Sequence, residues 1–249
     1  MKAYIGTSGW QYKHWNKRFF PEDLPKKDWL KFLSERFRTV EVNTTFYHMA
    51  RRTTFEKWKK ESAPGFLFTL KMYRLFTHFK KLSLKKEDEE TLEAFFVNAF
   101  KLGRKLGAIL IQFPPGFQKD HKKLTDFLSL IRKVEKKHKK KLKLAVEFRH
   151  KTWFEEETYE LLNKLKVALV ITNSPGWPYA IKKTADFVYM RFHGRTKLFA
   201  SNYTEAELKD WAKTLKSLKA KEVFAYFNND ANAFAADNAL YLKELMEQQ

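Results

Sequence analysis

The sequence contains no cysteine. This excludes disulfide bonds, thiolate nucleophiles, zinc sites built on cysteine and iron–sulfur clusters. No stretch approaches about 18 consecutive apolar residues, so the sequence predicts no membrane span and no membrane partner. Residues 1–6 enter a strand pattern directly and lack the apolar stretch of a signal peptide. We therefore expect a cytoplasmic protein.

Familiar catalytic motifs are also missing. The chain shows no nucleotide-binding loop, no Rossmann fingerprint, no nucleophile elbow and no Ser-His-Asp order. It also lacks the H-E-x-x-H spacing of zinc enzymes. The sequence therefore predicts no cofactor and no metal.

The formal net charge is strongly positive, +20 from 49 Lys and Arg against 29 Asp and Glu. Such a balance favours anionic partners, either a small phosphorylated ligand or a nucleic acid. Two simpler causes of the charge stay open. Runs such as the lysine-rich residues 136–141 are often simply solvated, and high Lys and Glu content is typical of heat-adapted proteins. The oligomeric state cannot be inferred from these features.

Eight short runs rich in Val, Ile, Phe and Leu alternate with amphipathic helical patterns. The predicted strands are 3–7, 39–43, 66–71, 108–113, 142–148, 167–172, 187–192 and 222–228. Alternation of this kind predicts a parallel sheet, because parallel strands need helical crossovers. Eight units within 249 residues favour a single α/β domain, a (β/α)8 TIM-like barrel over 1–249. The segment 173–185 contains two prolines and a glycine, so we expect an irregular unit after the sixth strand.

Side-chain alternation along the strands suggests where a site lies. In five strands the side chains on one face are apolar. The alternate positions, on the other face, end in a polar or charged residue near the carboxyl end of the strand. Active sites of this fold lie at that end of the barrel. The alternative is that these charges merely neutralise each other as a buried network. Apolar residues would stabilise the core better, which favours a functional site.

The residue types suggest roles at this face. Glu41 and Glu147 would act as general acid and base, assisted by His193. Cationic and amide side chains would bind an anionic substrate, namely Asn43, Lys71, Gln112, Arg149, Arg191, Asn228 and Asn229. Aromatic side chains would form a stacking wall or simply roof the barrel, namely Trp10, Tyr12, Tyr47 and Trp153. A divalent metal held by Glu41, Glu147, His193 and Asp230 is the competing idea, but the neighbouring cations oppose it.

The chain resembles the YecE-like family, domain of unknown function 72, along nearly all its length. The matching stretches are 5–10 (IGTSGW), 39–47 (TVEVNTTFY), 66–71 with Thr77 and His78, 112–115 (QFPP), 145–150 (AVEFRH), 186–194, and 226–230 (YFNND) with Asn238 and Ala239. The resemblance implies a TIM barrel and supplies no reaction.

Three functions therefore remain open from the sequence. The first is an enzyme of acid/base or hydrolytic chemistry acting on a phosphorylated or nucleic-acid-derived substrate. The second is a nucleic-acid-binding or nuclease-like barrel, which requires lysines that continue outward from the site along a groove. The third is a non-catalytic small-molecule-binding scaffold, since this fold hosts many functions.

Overall fold

Eight parallel strands form the centre of the molecule in the computed structural model, which describes residues 1–248. They are β1 Lys2–Thr7, β2 Thr39–Val42, β3 Leu67–Lys71, β4 Leu106–Gln112, β5 Lys143–Glu147, β6 Ala168–Asn173, β7 Phe187–Phe192 and β8 Glu222–Phe227. Hydrogen-bonded neighbours run β1-β8-β7-β6-β5-β4-β3-β2. A parallel bridge between Ser8 and Glu41 closes the ring, so the predicted barrel is confirmed.

Eight α-helices accompany these strands within residues 1–248. They are α1 Trp29–Arg36, α2 Thr44–Tyr47, α3 Arg52–Glu61, α4 Lys86–Ala99, α5 His121–His138, α6 Glu156–Leu165, α7 Glu205–Ser217 and α8 Phe234–Glu247. A capping box is present at the start of α7, because Thr204 and Glu207 exchange hydrogen bonds there. Residues 174–186, between β6 and β7, contain neither a helix nor a strand. The irregular unit expected after the sixth strand is therefore found.

Alternate side chains along the strands belong to two separate hydrophobic cores, as the alternation in the sequence predicts. The larger core lies between strands and helices and contains Val146 and Met190. The smaller core fills the barrel and contains Leu110, Ala145 and Tyr189, which alternate with these residues along the strands. Glu147 and Arg191, at the carboxyl ends of β5 and β7, take the alternate positions whose side chains point into the barrel. The barrel thus directs them toward one mouth.

Close backbone approach at Gly6 brings β1 against β2. A Cβ atom on Gly6 would lie 2.2 Å from the backbone oxygen of Thr39, far inside van der Waals contact. Inside the barrel, the Tyr226 hydroxyl hydrogen-bonds the Thr39 and Thr69 hydroxyls at 2.8 and 2.6 Å. These contacts fix β1, β2, β3 and β8 relative to one another, and so fix the mouth above them.

Candidate active site at the mouth of the barrel

Arg191, on β7, is the centre of a buried ion network. Its Nε and Nη2 donate to the two carboxylate oxygens of Glu41 at 3.0 and 2.7 Å. Its Nη1 donates to Glu147 Oε2 at 2.5 Å. All three side chains are buried. One guanidinium therefore joins β2, β5 and β7, with the planar geometry that suits arginine to carboxylates.

Glu41 receives two further hydrogen bonds besides those of Arg191. The Tyr189 hydroxyl donates to Oε2 at 2.6 Å, and the Ser8 hydroxyl donates to Oε1 at 2.8 Å. Four donors thus surround one carboxylate. Such a group has little capacity left to accept a proton from a substrate, and two of its four hydrogen bonds come from the Arg191 guanidinium.

Glu147 is bound by two arginines. Arg149 Nε donates to its Oε1 at 2.9 Å, opposite the bond from Arg191. Burial alone would raise the pKa of Glu147, but the charges of Arg191 and Arg149 outweigh it and hold that pKa well below its usual range. The Arg149 guanidinium also stacks 3.6 Å from the ring centre of Trp177. Its two terminal nitrogens make no hydrogen bond within residues 1–248, so they are available to a ligand.

Lys71 ends β3 as a cation without an acceptor. No hydrogen bond or ion pair engages its amine within the described part of the chain, and Nζ lies 4.0 Å from the ring centre of Phe46. Burial, followed by the charge of Arg191, lowers the pKa of Lys71 to about 7. The amine therefore changes charge near neutral pH, which suits proton transfer.

His193, just beyond β7, has a fully buried ring. The Asn228 amide nitrogen lies 3.2 Å from its Nδ1 and can only donate, so the neutral ring carries its proton on Nε2. That Nε2 is buried without a partner. Burial, and then the charge of Arg191, lowers the pKa of His193 well below its ordinary value. The imidazole is thus neutral, and its Nε2–H has no hydrogen-bond acceptor within residues 1–248.

A second histidine and a further arginine lie on the residues that follow β3. His78 is on a π-helical turn, Leu75–Phe79, and packs edge-on against Phe46. Burial and the charge of Lys71 lower the pKa of His78 to about 4, so it too is neutral at pH 7. Arg74 has a buried Nε without a hydrogen-bond partner.

A small cavity of about 210 Å³ lies beside the network, between the β1 and β2 ends. Its lining includes Trp10, Tyr12 and Asn43. The Tyr12 hydroxyl donates to the backbone oxygen of Ser8 at 2.5 Å, while the Asn43 side-chain oxygen is buried without a partner. These three sequence-predicted residues therefore surround space that a ligand can enter, and Asn43 offers it an acceptor.

Several further predicted residues have different surroundings. Trp153 is fully buried, stacks on Phe148 at 4.1 Å, and donates to a backbone oxygen, so the structure does not bring it to the mouth. Asn229 is buried in hydrogen bonds to Asn238 and to the backbone of residue 201. Gln112 pairs in register with Glu147, but its amide donates to the next backbone oxygen.

Tyr47 is the exposed member of the predicted aromatic set. About half of its surface (52%) is open to solvent. Its ring meets Phe46 edge-on, and the Arg74 guanidinium lies 5.6 Å from its ring centre. Tyr47 thus stands at the rim, on the same side as Lys71 and Arg74.

Five residues at or beside the network are not among the site residues predicted from the sequence, namely Ser8, Arg74, His78, Tyr189 and Trp177. Tyr189 shares the parity of Arg191, so the alternation rule was sufficient to find it. Ser8 and Trp177 lie outside the regular strands and helices, where the sequence has no periodicity that indicates which way a side chain points. Arg74 and His78 follow β3 on the π-helical turn.

The arrangement suits an anion better than a metal ion. The carboxylates of Glu41 and Glu147 are engaged by arginines, and Asp230 instead accepts from the Trp15 indole at 2.6 Å and pairs with His14 at 3.0 Å. One group in the described chain has ligand atoms close enough to share a metal ion, His121 at the start of α5 with Glu155 and Glu157 at the start of α6, and it includes none of the four residues predicted as metal ligands. Unpartnered donors, by contrast, gather at the mouth itself.

Within residues 1–248, none of the helices combines the length and apolar character needed to cross a bilayer.

Comparison with known proteins places the chain among uncharacterised relatives. A family model described as "Protein of unknown function DUF72" matches residues 4–249. The UPF0759 protein YunF of Bacillus subtilis is 29% identical over 281 residues, covering 98% of this chain and 94% of that protein. A DUF72 family crystal structure from Thermotoga maritima has a TM-score of 0.85 at 32% identity over the whole of both chains. Another, from Enterococcus faecalis, has a TM-score of 0.82 at 22% identity, covering 99% of this chain and 96% of that one.

Proposed function

The chain belongs to the DUF72 family, and we propose that it is an enzyme whose barrel mouth binds a small anionic substrate and transfers protons to or from it. One observation carries the proposal. Donors without acceptors converge there, namely Lys71 Nζ, His193 Nε2, Arg74 Nε and the terminal nitrogens of Arg149. His193 Nε2 and Arg74 Nε are buried, and buried donors are rarely left unpaired, whereas Lys71 and Arg149 are partly buried side chains. A phosphate or carboxylate would satisfy several of them at once.

The carboxylates act as the framework of this site. Glu41 and Glu147 were assigned from sequence as acid and base, but each is engaged by arginine. In this enzyme Glu41 and Glu147 therefore orient Arg191 and Arg149 through these ion pairs. Lys71 becomes the group that gains or loses a proton near pH 7, and His193 donates a hydrogen bond to a substrate oxygen.

The nucleic-acid alternative finds less support. Residues 136–141 end α5 and lead into the first residue of β5, so they lie at the opposite end of the barrel from the mouth. The cations of the anion-binding cluster itself come from strand ends and from the turn after β3, while exposed lysines also follow β1, β4, β5 and β7, namely Lys13, Lys119, Lys151 and Lys197. The lysine run therefore does not continue the anion-binding cluster outward.

Binding of inorganic phosphate tests the anion site. We expect phosphate to raise the Tm of the wild-type protein, and we expect Lys71→Met and Arg149→Met each to weaken phosphate binding by about tenfold or more. A hydrogen bond to a charged group contributes about 1.5–3 kcal/mol, which corresponds to that factor. Titration calorimetry at constant ionic strength measures it.

Lys164→Met is the matched control, because Lys164 is exposed near the end of α6, at the other end of the barrel. It removes the same charge without touching the mouth. Equal weakening by Lys164→Met and Lys71→Met would show that phosphate responds only to net charge and would overturn the site.

Catalysis is tested separately with a panel of phosphate esters and carboxylated compounds. We expect turnover of at least one class, lost in Lys71→Met and retained in Lys164→Met. Binding of phosphate without any turnover across the panel would instead favour the non-catalytic scaffold.

A further inference from the structure

The amine of Lys71 differs from that of a structural lysine in the same chain. Lys105 is also partly buried, yet its Nζ donates to the backbone oxygens of Lys59 and Ser62 and to the Ser62 hydroxyl, at 2.7–2.9 Å. Lys71 has no such acceptor within residues 1–248, and its Nζ lies over the face of Phe46. The Lys105 amine is therefore fixed by three hydrogen bonds, whereas the Lys71 amine makes no hydrogen bond to the described residues.

A free nitrogen in this environment has a chemical consequence. Burial and the neighbouring Arg191 lower the pKa of Lys71 to about 7, so a substantial share of the amine carries an unprotonated lone pair at neutral pH. Desolvation and an adjacent cation are the two means by which proteins turn lysine into a nucleophile toward carbonyl carbons. Both are present here.

Arg149 supplies the second element, a fixed anion receptor whose charge is close enough to lower the pKa of the Lys71 amine further. Its Nε is held by Glu147 at 2.9 Å and its plane is stacked on Trp177 at 3.6 Å, which leaves the terminal nitrogens to form a fork for a carboxylate or phosphate. The unpartnered Nε2 of His193 is a further donor, suited to a carbonyl oxygen.

We infer that Lys71 forms a covalent iminium with the carbonyl carbon of a substrate whose anionic group is bound by Arg149, so that the substrate class is an oxo acid or a phosphorylated carbonyl compound. The inference rests on the proposed function, since it requires the anion site at the mouth. It goes beyond that function by naming the nucleophile and the reacting group.

The step balances without an external oxidant or reductant. The Nζ lone pair forms the C–N bond while the carbonyl π pair moves to oxygen, and a proton passes from nitrogen to that oxygen to give a carbinolamine. A second proton from solvent lets the oxygen leave as water, and the nitrogen lone pair closes the C=N bond. The iminium carries one positive charge, which a neutral starting amine and one added proton account for.

Borohydride trapping tests the inference on the full-length protein. Pyruvate and dihydroxyacetone phosphate are the two anionic probes, and acetone is the neutral carbonyl control. Borohydride delivers hydride to an iminium carbon and leaves a stable secondary amine, which intact mass and peptide mapping locate. We expect one adduct, on Lys71, with at least one anionic probe, and at least about tenfold less with acetone.

Variants separate the covalent step from binding. Lys71→Arg keeps a positive charge without a nucleophilic amine and should abolish the adduct. Arg149→Met should reduce the adduct yield by about tenfold, because it removes the anion receptor. Lys105→Arg should leave trapping unchanged. In the wild-type protein the rate of trapping should rise with pH and reach half its maximum near pH 7, following the free amine.

The outcomes distinguish the two proposals. Trapping spread over surface lysines, together with phosphate binding that needs Lys71 and Arg149, would overturn the nucleophile and leave the anion site standing. Loss of both selective trapping and selective phosphate binding would overturn both. A Lys71 adduct equally strong with acetone would overturn the assignment of an anionic carbonyl substrate.

Discussion

Arg191 and Glu41 form a two-point ion pair in which both side chains are buried, with donor–acceptor distances of 3.0 and 2.7 Å. The pair connects β7 to β2 across the barrel, and the third guanidinium nitrogen reaches Glu147 on β5. Strands that are not hydrogen-bonded neighbours in the sheet are thus joined at the mouth. The stability of the barrel and the shape of the site depend on the same side chain.

Replacing Arg191 should be costly. Arg191→Met leaves Glu41 and Glu147 buried without this partner, and we expect a loss of about 3–5 kcal/mol in the free energy of unfolding at pH 7. Urea denaturation measures the loss. Arg52→Met, which removes an exposed pair with Glu56 on α3, is the control and should change stability little. Equal effects of the two substitutions would mean that the buried network contributes no more than a surface pair.

Glu147 should make the protein sensitive to acid. Because its folded-state pKa lies below the ordinary value of 4.5, its stabilising contribution is complete above about pH 4.5 and is lost as pH falls toward the folded pKa. We expect the Tm of the wild-type protein to fall more steeply below pH 4.5 than that of Glu147→Gln. Calorimetry from pH 7 to 3 measures both slopes.

Glu160→Gln is the control for this acid dependence, because Glu160 is exposed on α6. Its pH profile should follow that of the wild type. A Glu147→Gln profile that also parallels the wild type would show that the Glu147 carboxyl does not titrate abnormally.

Lys71 should destabilise the fold while it is charged. Its pKa is about 7 when folded and 10.5 ordinarily, so the penalty is complete below pH 7 and declines as pH rises toward 10.5. Lys71→Met should therefore raise the Tm more at pH 6 than at pH 10. Lys105→Met should lower the Tm instead, because it removes a donor shared by three oxygens. A Lys71→Met effect that does not depend on pH would contradict the lowered pKa.

Gly6 should tolerate no side chain. Gly6→Ala places a Cβ atom 2.2 Å from a backbone oxygen of Thr39, and relieving that overlap should cost about 1–3 kcal/mol in unfolding free energy. Gly116→Ala is the matched control, because no atom lies within 4 Å of its added Cβ. Chemical denaturation of the two variants compares them directly. Similar stabilities would show that β1 and β2 can separate without cost.

The sequence predicted the architecture because strand and helix periodicities are local. The strand over Phe187–Phe192 was predicted to the residue, and the remaining strands within two residues at each end. The ends shift because a strand stops where its neighbour's hydrogen bonds stop, which composition does not show. The irregular unit at 174–186 was predictable because proline and glycine interrupt helical patterns.

The sequence by itself also determined that Glu41, Glu147 and Arg191 face one mouth, since alternation fixes which side of a strand a residue takes. Only the tertiary structure decided what they do there. Arg191 and Glu41 are 150 residues apart, and their pairing depends on how the barrel closes. That closure engages the two carboxylates and leaves the Lys71 amine without an acceptor, a difference that arises from distances between strands and therefore cannot be read from any single segment.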